Sequence, residues 1–141
     1  MSAAAATAAA AIAGALGLAA VLGILHNRRS GTVRDTAGAA DLGGTGELGL
    51  SETGPTIVHF TAEWCGPCAA VRRLVTQVCA ELPQVAHVEI DLDSNPVAGR
   101  KLSVLSLPTT FIFDAEGRQR YRMSGIPKTA DLRAALDLLL A

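Results

Sequence analysis

The longest uninterrupted hydrophobic stretch of the chain lies at its start. No charged residue occurs between Ala3 and Leu25, and the Ile, Leu and Val side chains are concentrated in the second half of this stretch. A helix rises about 1.5 Å per residue, so the stretch is long enough to cross the roughly 30 Å hydrocarbon core of a bilayer. We therefore expect residues 1–27 to form a transmembrane anchor, with residues 3–25 in the membrane.

The flanks of this stretch favour an uncleaved anchor over a secretory signal peptide or an alanine-rich leader. A signal peptide carries positive charge before its apolar core, whereas only Met1 and Ser2 precede this one, and Arg28 and Arg29 follow it. Because short loops rich in Arg and Lys stay in the cytoplasm, these two residues and Arg34 predict a single-pass protein with its remaining chain in the cytoplasm. An extracytoplasmic domain is the alternative if the arginines do not set the topology.

The segment that follows has no sustained hydrophobic period. Residues 28–54 are rich in Gly, Ala, Thr and Ser, a composition typical of a flexible linker. We expect a tether with one short strand or helical turn inside it, and a domain boundary near Gly54.

A strand, a helix and a second strand are predicted from residue 55 onward. Thr56–Thr61 is a β-rich run typical of a buried strand, and Ala86–Asp91 is another. Between them apolar residues recur with helical spacing, at Val71, Leu74, Val75, Val78, Cys79 and Leu82. A helix that connects two strands in this way predicts a parallel βαβ unit.

The remaining pattern predicts a short helix, a hairpin and a final helix. Asn95 and Pro96 are suited to the cap and first position of the short helix. Two β-rich runs then flank Gly117, which suits the left-handed position of a tight turn. Thr129 can cap the last helix, whose apolar face carries Leu132, Leu136, Leu139 and Leu140. The predicted fold class is α/β.

Composition limits the number of domains and the class of partner. The chain has 141 residues, half of them apolar, which suffices for one globular domain and an appendage. Its 12 Lys and Arg residues nearly balance 13 Asp and Glu residues, so we expect no nucleic-acid partner. The three cysteines include only one close pair, unlike the disulfide framework of a small secreted domain.

The close pair, in the segment EWCGPC, has the spacing of a redox-active dithiol. Cys65 is placed where a strand ends and a helix begins, where unpaired N–H groups and the helix dipole favour a thiolate. A thiolate attacks disulfides, and Cys68, one turn on, can then resolve the mixed disulfide. Gly66 allows a partner backbone to approach, Pro67 preorganises the first helical turn, and Trp64 provides an apolar contact surface.

A zinc half-site is the alternative explanation for the same pair. A structural zinc site has four ligands, and the sequence contains no second Cys-X-X-Cys and no pair of histidines at metal-binding spacing. His59 and His87 are the remaining candidate ligands. We expect neither a metal nor a cofactor, but a non-enzymatic module that binds a metal or a partner through Cys65, Cys68 and His59 is a competing hypothesis.

The segments AEWCGPC, SLPTTFIF and SGIP, in this order, resemble the thioredoxin family. The resemblance spans Pro55–Ala141 and implies a thioredoxin-like fold, a central mixed sheet flanked by helices. It also implies that Cys65 is the nucleophile, that Cys68 is the resolving thiol, that the two form a redox-active disulfide and that Pro108 is cis. The substrate-binding residues that it implies are Trp64, Gly66, Pro67, Leu107, Pro108 and Gly125.

The chain departs from the family pattern near the cysteines. His59 replaces a buried aspartate that accepts a proton from the second cysteine, and His87 replaces a neighbouring lysine; Thr61 and Arg73 are further departures. A neutral His59 could take the proton of Cys68 near neutral pH. Alternatively it is a strand histidine satisfied by hydrogen bonds. Cys79 falls on the apolar helical stripe, where core packing is the expected role.

Together these features predict a membrane-tethered protein-disulfide reductase of the thioredoxin type. The Gly-Pro dipeptide between the cysteines resembles the reducing members of the family. Expected partners are disulfide-containing proteins and a dithiol or flavin reductase that supplies electrons. A monomer is expected. An extracytoplasmic reductase of the same chemistry is the runner-up.

Overall fold

The computed structural model describes residues 3–36 and 45–141 and contains two compact units. The first unit, Met1–Ser30, consists of helix α1, Ala3–Arg29, whose described side chains are all exposed. Its length and composition make it a candidate membrane span over Ala3–Arg28, and they also fit a signal sequence. The predicted apolar helix is therefore present, as a candidate for membrane insertion.

The second unit, Gly31–Ala141, is built on a mixed five-stranded sheet. Its elements in chain order are β1 Arg34–Asp35, α2 Thr45–Leu48, β2 Thr56–Thr61, α3 Cys68–Glu81, β3 Ala86–Asp91, α4 Pro96–Lys101, β4 Thr109–Phe113, β5 Gln119–Ser124 and α5 Thr129–Leu140. The strand order is β1-β5-β4-β2-β3. Strands β2 and β3 are parallel and are joined through α3 as the predicted βαβ unit, and the other three strand pairs among the described residues are antiparallel.

Each face of the sheet has its own hydrophobic core because successive strand side chains point to opposite faces. On one face Ile57 packs with residues of α3 and α5, among them Val71, Val75, Leu132 and Leu136. On the other face Val58 and Phe60 pack with Phe111, Phe113 and Leu102. All six residues of β2 are buried, so the strand that leads to the cysteines is held from both sides.

The folded unit extends further towards the N-terminus than the predicted boundary at Gly54. Strand β1 pairs with Arg122 and Tyr121 of β5, and Leu50 is buried in the second core. Residues 37–44 of the predicted tether lie outside the described residues. Of the described part of 28–54, the residues from Gly31 onward belong to the folded unit, which local composition does not reveal because their contacts are long-range.

Two predicted helix starts are shifted. Helix α3 begins at Cys68, not at Cys65, because Pro67 occupies the cap position. Helix α5 has Lys128 at its cap, so Thr129 is its first helical residue and no side chain caps it. The predicted positions of Asn95 at the cap of α4 and of Gly117 at a positive φ of 76° are confirmed.

Candidate active site

Cys65 and Cys68 are joined by a disulfide in the turn between β2 and α3. The N–H of Cys65 donates to the carbonyl of Ala62 at 3.1 Å, and that of Cys68 donates to the carbonyl of Cys65 at 3.3 Å. The helix continues from there with the N–H of Val71 bonded to Pro67. The backbone therefore turns once before the helix proper, and this turn brings the two sulfurs together.

The two cysteines differ in exposure. Cys65 is 8 % exposed, whereas Cys68 is 1 % exposed and has its Sγ 3.9 Å from the carbonyl oxygen of Phe60. Gly66 and Pro67, which lie between them, are exposed. Cys65 is therefore the more accessible of the two. A substrate disulfide must reach the attacking sulfur, so this difference favours Cys65 as the attacking residue.

Most of the predicted docking residues are gathered around this disulfide. Leu107 packs against the small cluster of Ala62, Cys65 and Cys68. The Leu107–Pro108 peptide is cis, as the resemblance implies. The N–H of Gly125 donates to the carbonyl of Pro108 at 2.8 Å, which ties the start of β4 to the end of β5.

Trp64 is the largest exposed apolar surface beside the disulfide. Its side chain is 68 % exposed, and its Nε1–H donates to Oδ2 of Asp93 at 3.0 Å. Asp93 was not among the predicted site residues. Asp93 can reach Trp64 because β2 and β3 end side by side. The predicted βαβ unit implies this neighbourhood, whereas the cysteine motif alone does not.

A cluster of polar side chains, which we call the histidine group, lies on the α3 face of the sheet and consists of His59, His87, Glu89 and Arg72. His59 is fully buried on β2, and its Nδ1 lies 2.8 Å from Nε2 of His87 on β3. The two rings stack with centroids 5.0 Å apart. His59 Nε2 lies 3.3 Å from Oε2 of Glu89, but among the described residues it has no partner with hydrogen-bond geometry. Arg72 of α3 donates to both oxygens of Glu89, at 2.6 and 2.5 Å.

Burial sets the protonation of this group. The pKa of His59 is lowered to about 4, chiefly by burial and next by the neighbouring His87, while Glu89 acts in the opposite direction. Burial also lowers the pKa of His87, and the Arg72 guanidinium holds the pKa of Glu89 below its usual range. At neutral pH the group therefore consists of two neutral imidazoles, a carboxylate and a guanidinium.

Cys79 is separate from both groups. It is partly buried and packs against the core between α3 and α5, as its place on the apolar stripe predicts. Burial raises the pKa of its thiol. A thiol with a raised pKa is mostly protonated at neutral pH and a poor nucleophile.

Comparisons with known proteins agree with this arrangement. The thioredoxin family model matches residues 48–138. A thioredoxin of Mycolicibacterium smegmatis is 37% identical over 94 residues, which cover 64% of this chain and 83% of that protein. A thioredoxin of Chlamydia trachomatis is 36% identical over 74 residues, or 52% of this chain and 72% of that protein. The crystal structure of thioredoxin from Trypanosoma brucei brucei has 33% identity and a TM-score of 0.56, covering 64% of this chain and 78% of that one.

Proposed function

The chain belongs to the thioredoxin family, and on that premise we propose that it is a membrane-tethered reductase of protein disulfides. It is a thioredoxin-type redox protein with a Cys-X-X-Cys pair, and the family supports thiol–disulfide oxidoreductase activity in general. The observation that carries the proposal is the Cys65–Cys68 disulfide, with Leu107 packed beside it.

In the proposed reaction the reduced protein passes two electrons to its substrate. The thiolate of Cys65 attacks one sulfur of the substrate disulfide, which forms a mixed disulfide and releases the other substrate sulfur as a thiolate that takes up a proton. Cys68 then loses its proton and attacks the sulfur of Cys65. This step breaks the mixed disulfide, releases the second substrate thiol and forms the Cys65–Cys68 disulfide.

The assignment of the two roles is supported by exposure. The sulfur that meets a folded or extended protein substrate must be accessible, and Cys65 is the more exposed of the pair. Cys68 is enclosed at the first residue of α3, where an incoming substrate is excluded but Cys65 is within bonding distance. Electrons would be returned by an external dithiol or a flavin reductase, which converts the disulfide back to two thiols.

Substrate docking is proposed at the rim formed by Trp64, Leu107, Pro108 and Gly125, together with the exposed Gly66 and Pro67. An extended peptide can add to exposed backbone beside Leu107 as an extra strand, which gives affinity for varied sequences through main-chain hydrogen bonds. The exposed indole of Trp64 adds apolar contact next to the attacking sulfur. A monomer is sufficient for this arrangement.

Helix α1 is the proposed tether. Its exposed apolar side chains, the two arginines at its C-terminal end and Arg34 after it support a single-pass anchor with the redox domain in the cytoplasm. An extracytoplasmic domain is the alternative. Labelling with a membrane-impermeant thiol reagent on intact cells distinguishes the two, since only an extracytoplasmic Cys65 reacts without lysis.

The role of His59 as the proton acceptor for Cys68 stays a prediction. Burial keeps the imidazole neutral, which is the form that accepts a proton, but a pKa of about 4 makes it a weak base at neutral pH. Its partners in the described structure are His87 and Glu89 on the neighbouring strand. The alternative, a strand histidine satisfied by hydrogen bonds, fits its Nδ1 but not its Nε2.

Insulin reduction by the full chain in detergent, with a dithiol as electron source and measured with and without a metal chelator, tests the proposed function. We expect acceleration by the wild-type protein and by Cys79→Ser, and none by Cys65→Ser. Acceleration that is absent, or that the chelator removes, contradicts the proposal and favours a binding module built on the cysteines.

A further inference from the structure

The buried histidine group has the donor atoms and spacing of a metal site. One ligand atom each from His59, His87 and Glu89 lie within 4.8 Å of one another. The parallel register explains this proximity, because His59 pairs with Glu89 and Ile57 pairs with His87, which places all three side chains on the face covered by α3. Two imidazole nitrogens and one carboxylate oxygen form a ligand set that suits zinc-class ions.

A bound ion would require the donor atoms to move closer together. Zinc–ligand distances of about 2.0–2.2 Å in a tetrahedral site correspond to donor atoms about 3.3–3.6 Å apart, so a pair that is 4.8 Å apart would have to close by roughly 1.2–1.5 Å. His87 is partly buried and Glu89 is exposed, both on β3 at the edge of the sheet, so rotation of their side chains can bring the donor atoms together. An ion can also enter from that edge.

One buried atom in the group lacks a partner. His59 Nε2 is inaccessible to solvent and has no hydrogen bond within the described residues, although Glu89 Oε2 is 3.3 Å away. An unpaired buried polar atom is costly, and a metal ion placed between this nitrogen and the carboxylate would satisfy both. The neutral imidazoles and the ionised Glu89 are already in their metal-binding forms at neutral pH.

The Arg72 side chain is a cation that would compete with a metal ion for Glu89. The Arg72 guanidinium binds both oxygens of Glu89, yet its side chain is 51 % exposed and comes from the outer surface of α3. A half-exposed arginine can rotate into solvent at little cost, since exposed ion pairs contribute only about 0–1 kcal/mol. Release of Arg72 would therefore free the carboxylate for a metal.

We propose that His59, His87 and Glu89 form a binding site for a divalent zinc-class ion, and that Arg72 occupies the carboxylate when the ion is absent. The site uses neither cysteine, so it differs from a zinc half-site on Cys65 and Cys68 and can be filled while these are disulfide-bonded. Three protein ligands leave one coordination position for water. This inference is independent of the proposed reductase activity.

The test measures Zn²⁺ affinity of the oxidised full chain in detergent, by competition with a chromophoric chelator after all metal is removed. Oxidation keeps both active-site thiols out of reach, and the Cys65→Ser/Cys68→Ser double variant repeats the measurement without them. We expect one bound Zn²⁺ in both proteins. Co²⁺ as a second probe should give a visible absorption band without the intense thiolate-to-metal band that cysteine ligands produce.

Two variants change the affinity in opposite directions. His87→Gln removes a ligand but can still hydrogen-bond His59, and should weaken Zn²⁺ binding at least about tenfold. Arg72→Met removes the competitor and should strengthen binding by up to about fivefold, the change that corresponds to the loss of an exposed ion pair. Arg73→Met is the matched control, since it removes the same charge from an exposed neighbouring position of α3 and should leave the affinity within about twofold.

Three results overturn the proposal. The first is oxidised wild-type protein that binds Zn²⁺ no more tightly than His87→Gln. The second is Arg72→Met with the same affinity as Arg73→Met; this comparison involves only exposed positions, so it does not depend on the folding of a core variant. The third is loss of the site in the double cysteine variant, which would assign the metal to Cys65 and Cys68.

Discussion

The disulfide turn and the histidine group both lie next to helix α3, but they are built in different ways. The turn is contiguous in sequence, and it gathers Cys65 and Cys68 through backbone hydrogen bonds within four residues. The histidine group joins residues 28 positions apart through the register of β2 and β3, under the cover of α3. One region is therefore a local motif at the surface, whereas the other exists only in the folded sheet.

From this difference we expect substitutions in the turn to change the redox chemistry and substitutions in the histidine group to change the stability of the fold. Changes in the turn should affect disulfide exchange with little effect on the fold. Changes in the histidine group should affect stability and its pH dependence more than the basic reaction.

The largest expected effect is the loss of exchange in Cys65→Ser. Because this change removes the attacking thiolate, we expect protein-disulfide reduction to fall by at least about a thousandfold, the scale of losing a nucleophile. Cys68→Ser should instead trap mixed disulfides with substrate proteins, visible as adducts on non-reducing gels. Cys79→Ser, in the core, is the control that keeps normal activity. Equal trapping by Cys65→Ser and Cys68→Ser would show that the roles are not divided as proposed.

The second-largest effect is expected for the free energy of unfolding at acidic pH, which depends on His59 of the histidine group. His59 has a pKa of about 4 in the folded, metal-free protein against about 6.5 when unfolded, so the unfolded state binds more protons between these values. The free energy of unfolding should therefore fall as pH drops from about 6.5 to 4, by up to about 3 kcal/mol at one pKa unit per 1.36 kcal/mol. Urea denaturation of the full chain at several pH values, in the presence of a chelator, measures this fall.

His59→Asn, which cannot titrate in this range, is the matched variant for that experiment. It should lower stability at neutral pH but remove most of the loss between pH 6.5 and 4. An unchanged pH dependence in the variant would mean that other carboxylates or His87 control acid stability.

A smaller effect is expected at the docking rim. Trp64→Ala removes exposed apolar surface beside Cys65 without touching either core, so KM for a protein disulfide should rise by about tenfold, as for loss of one contact residue. Reduction of a small aromatic disulfide should change by less than about twofold. A parallel loss with both substrates would mean that Trp64 acts on the cysteines themselves.

The smallest effect is expected for the exposed Arg72–Glu89 ion pair. Arg72→Met should lower the free energy of unfolding of the metal-free protein by no more than about 1 kcal/mol, because exposed ion pairs contribute little. The pKa of Glu89 should rise once the guanidinium is gone. Urea denaturation and NMR titration of the Glu89 side chain measure these two changes, and a larger destabilisation would show that Arg72 compensates for the buried histidines.

The parts of the molecule that were predictable from sequence are those with local causes. The β-rich composition of Thr56–Thr61 and Ala86–Asp91 predicted β2 and β3, the period-3.6 pattern predicted α3, and Gly117 predicted the hairpin turn, because each signal depends on residues that are close together in sequence. The cysteine turn was predictable because its function depends on spacing alone. The start of α3 at Cys68 was missed by one turn, since Pro67 is compatible with both a cap and a first helical position.

Long-range contacts account for what the sequence did not reveal. The short strand β1 belongs to the sheet because of its pairing with β5, although its own composition resembles a linker. Likewise, His59 and His87 could each be identified as departures from the family pattern, but their 2.8 Å contact follows from the register of two strands. Asp93 is a partner of Trp64 for the same reason.

The most direct test of the central claim, that this protein reduces disulfides, is the redox equilibrium of the Cys65–Cys68 pair. The full chain in detergent is equilibrated with mixtures of a reduced and oxidised dithiol of known potential, and the free thiols are then counted after alkylation. We expect a potential close to that of reducing thioredoxins, about −270 mV. A value of about −120 mV, as in the strong oxidant class, would contradict the claim and make the protein a donor of disulfides.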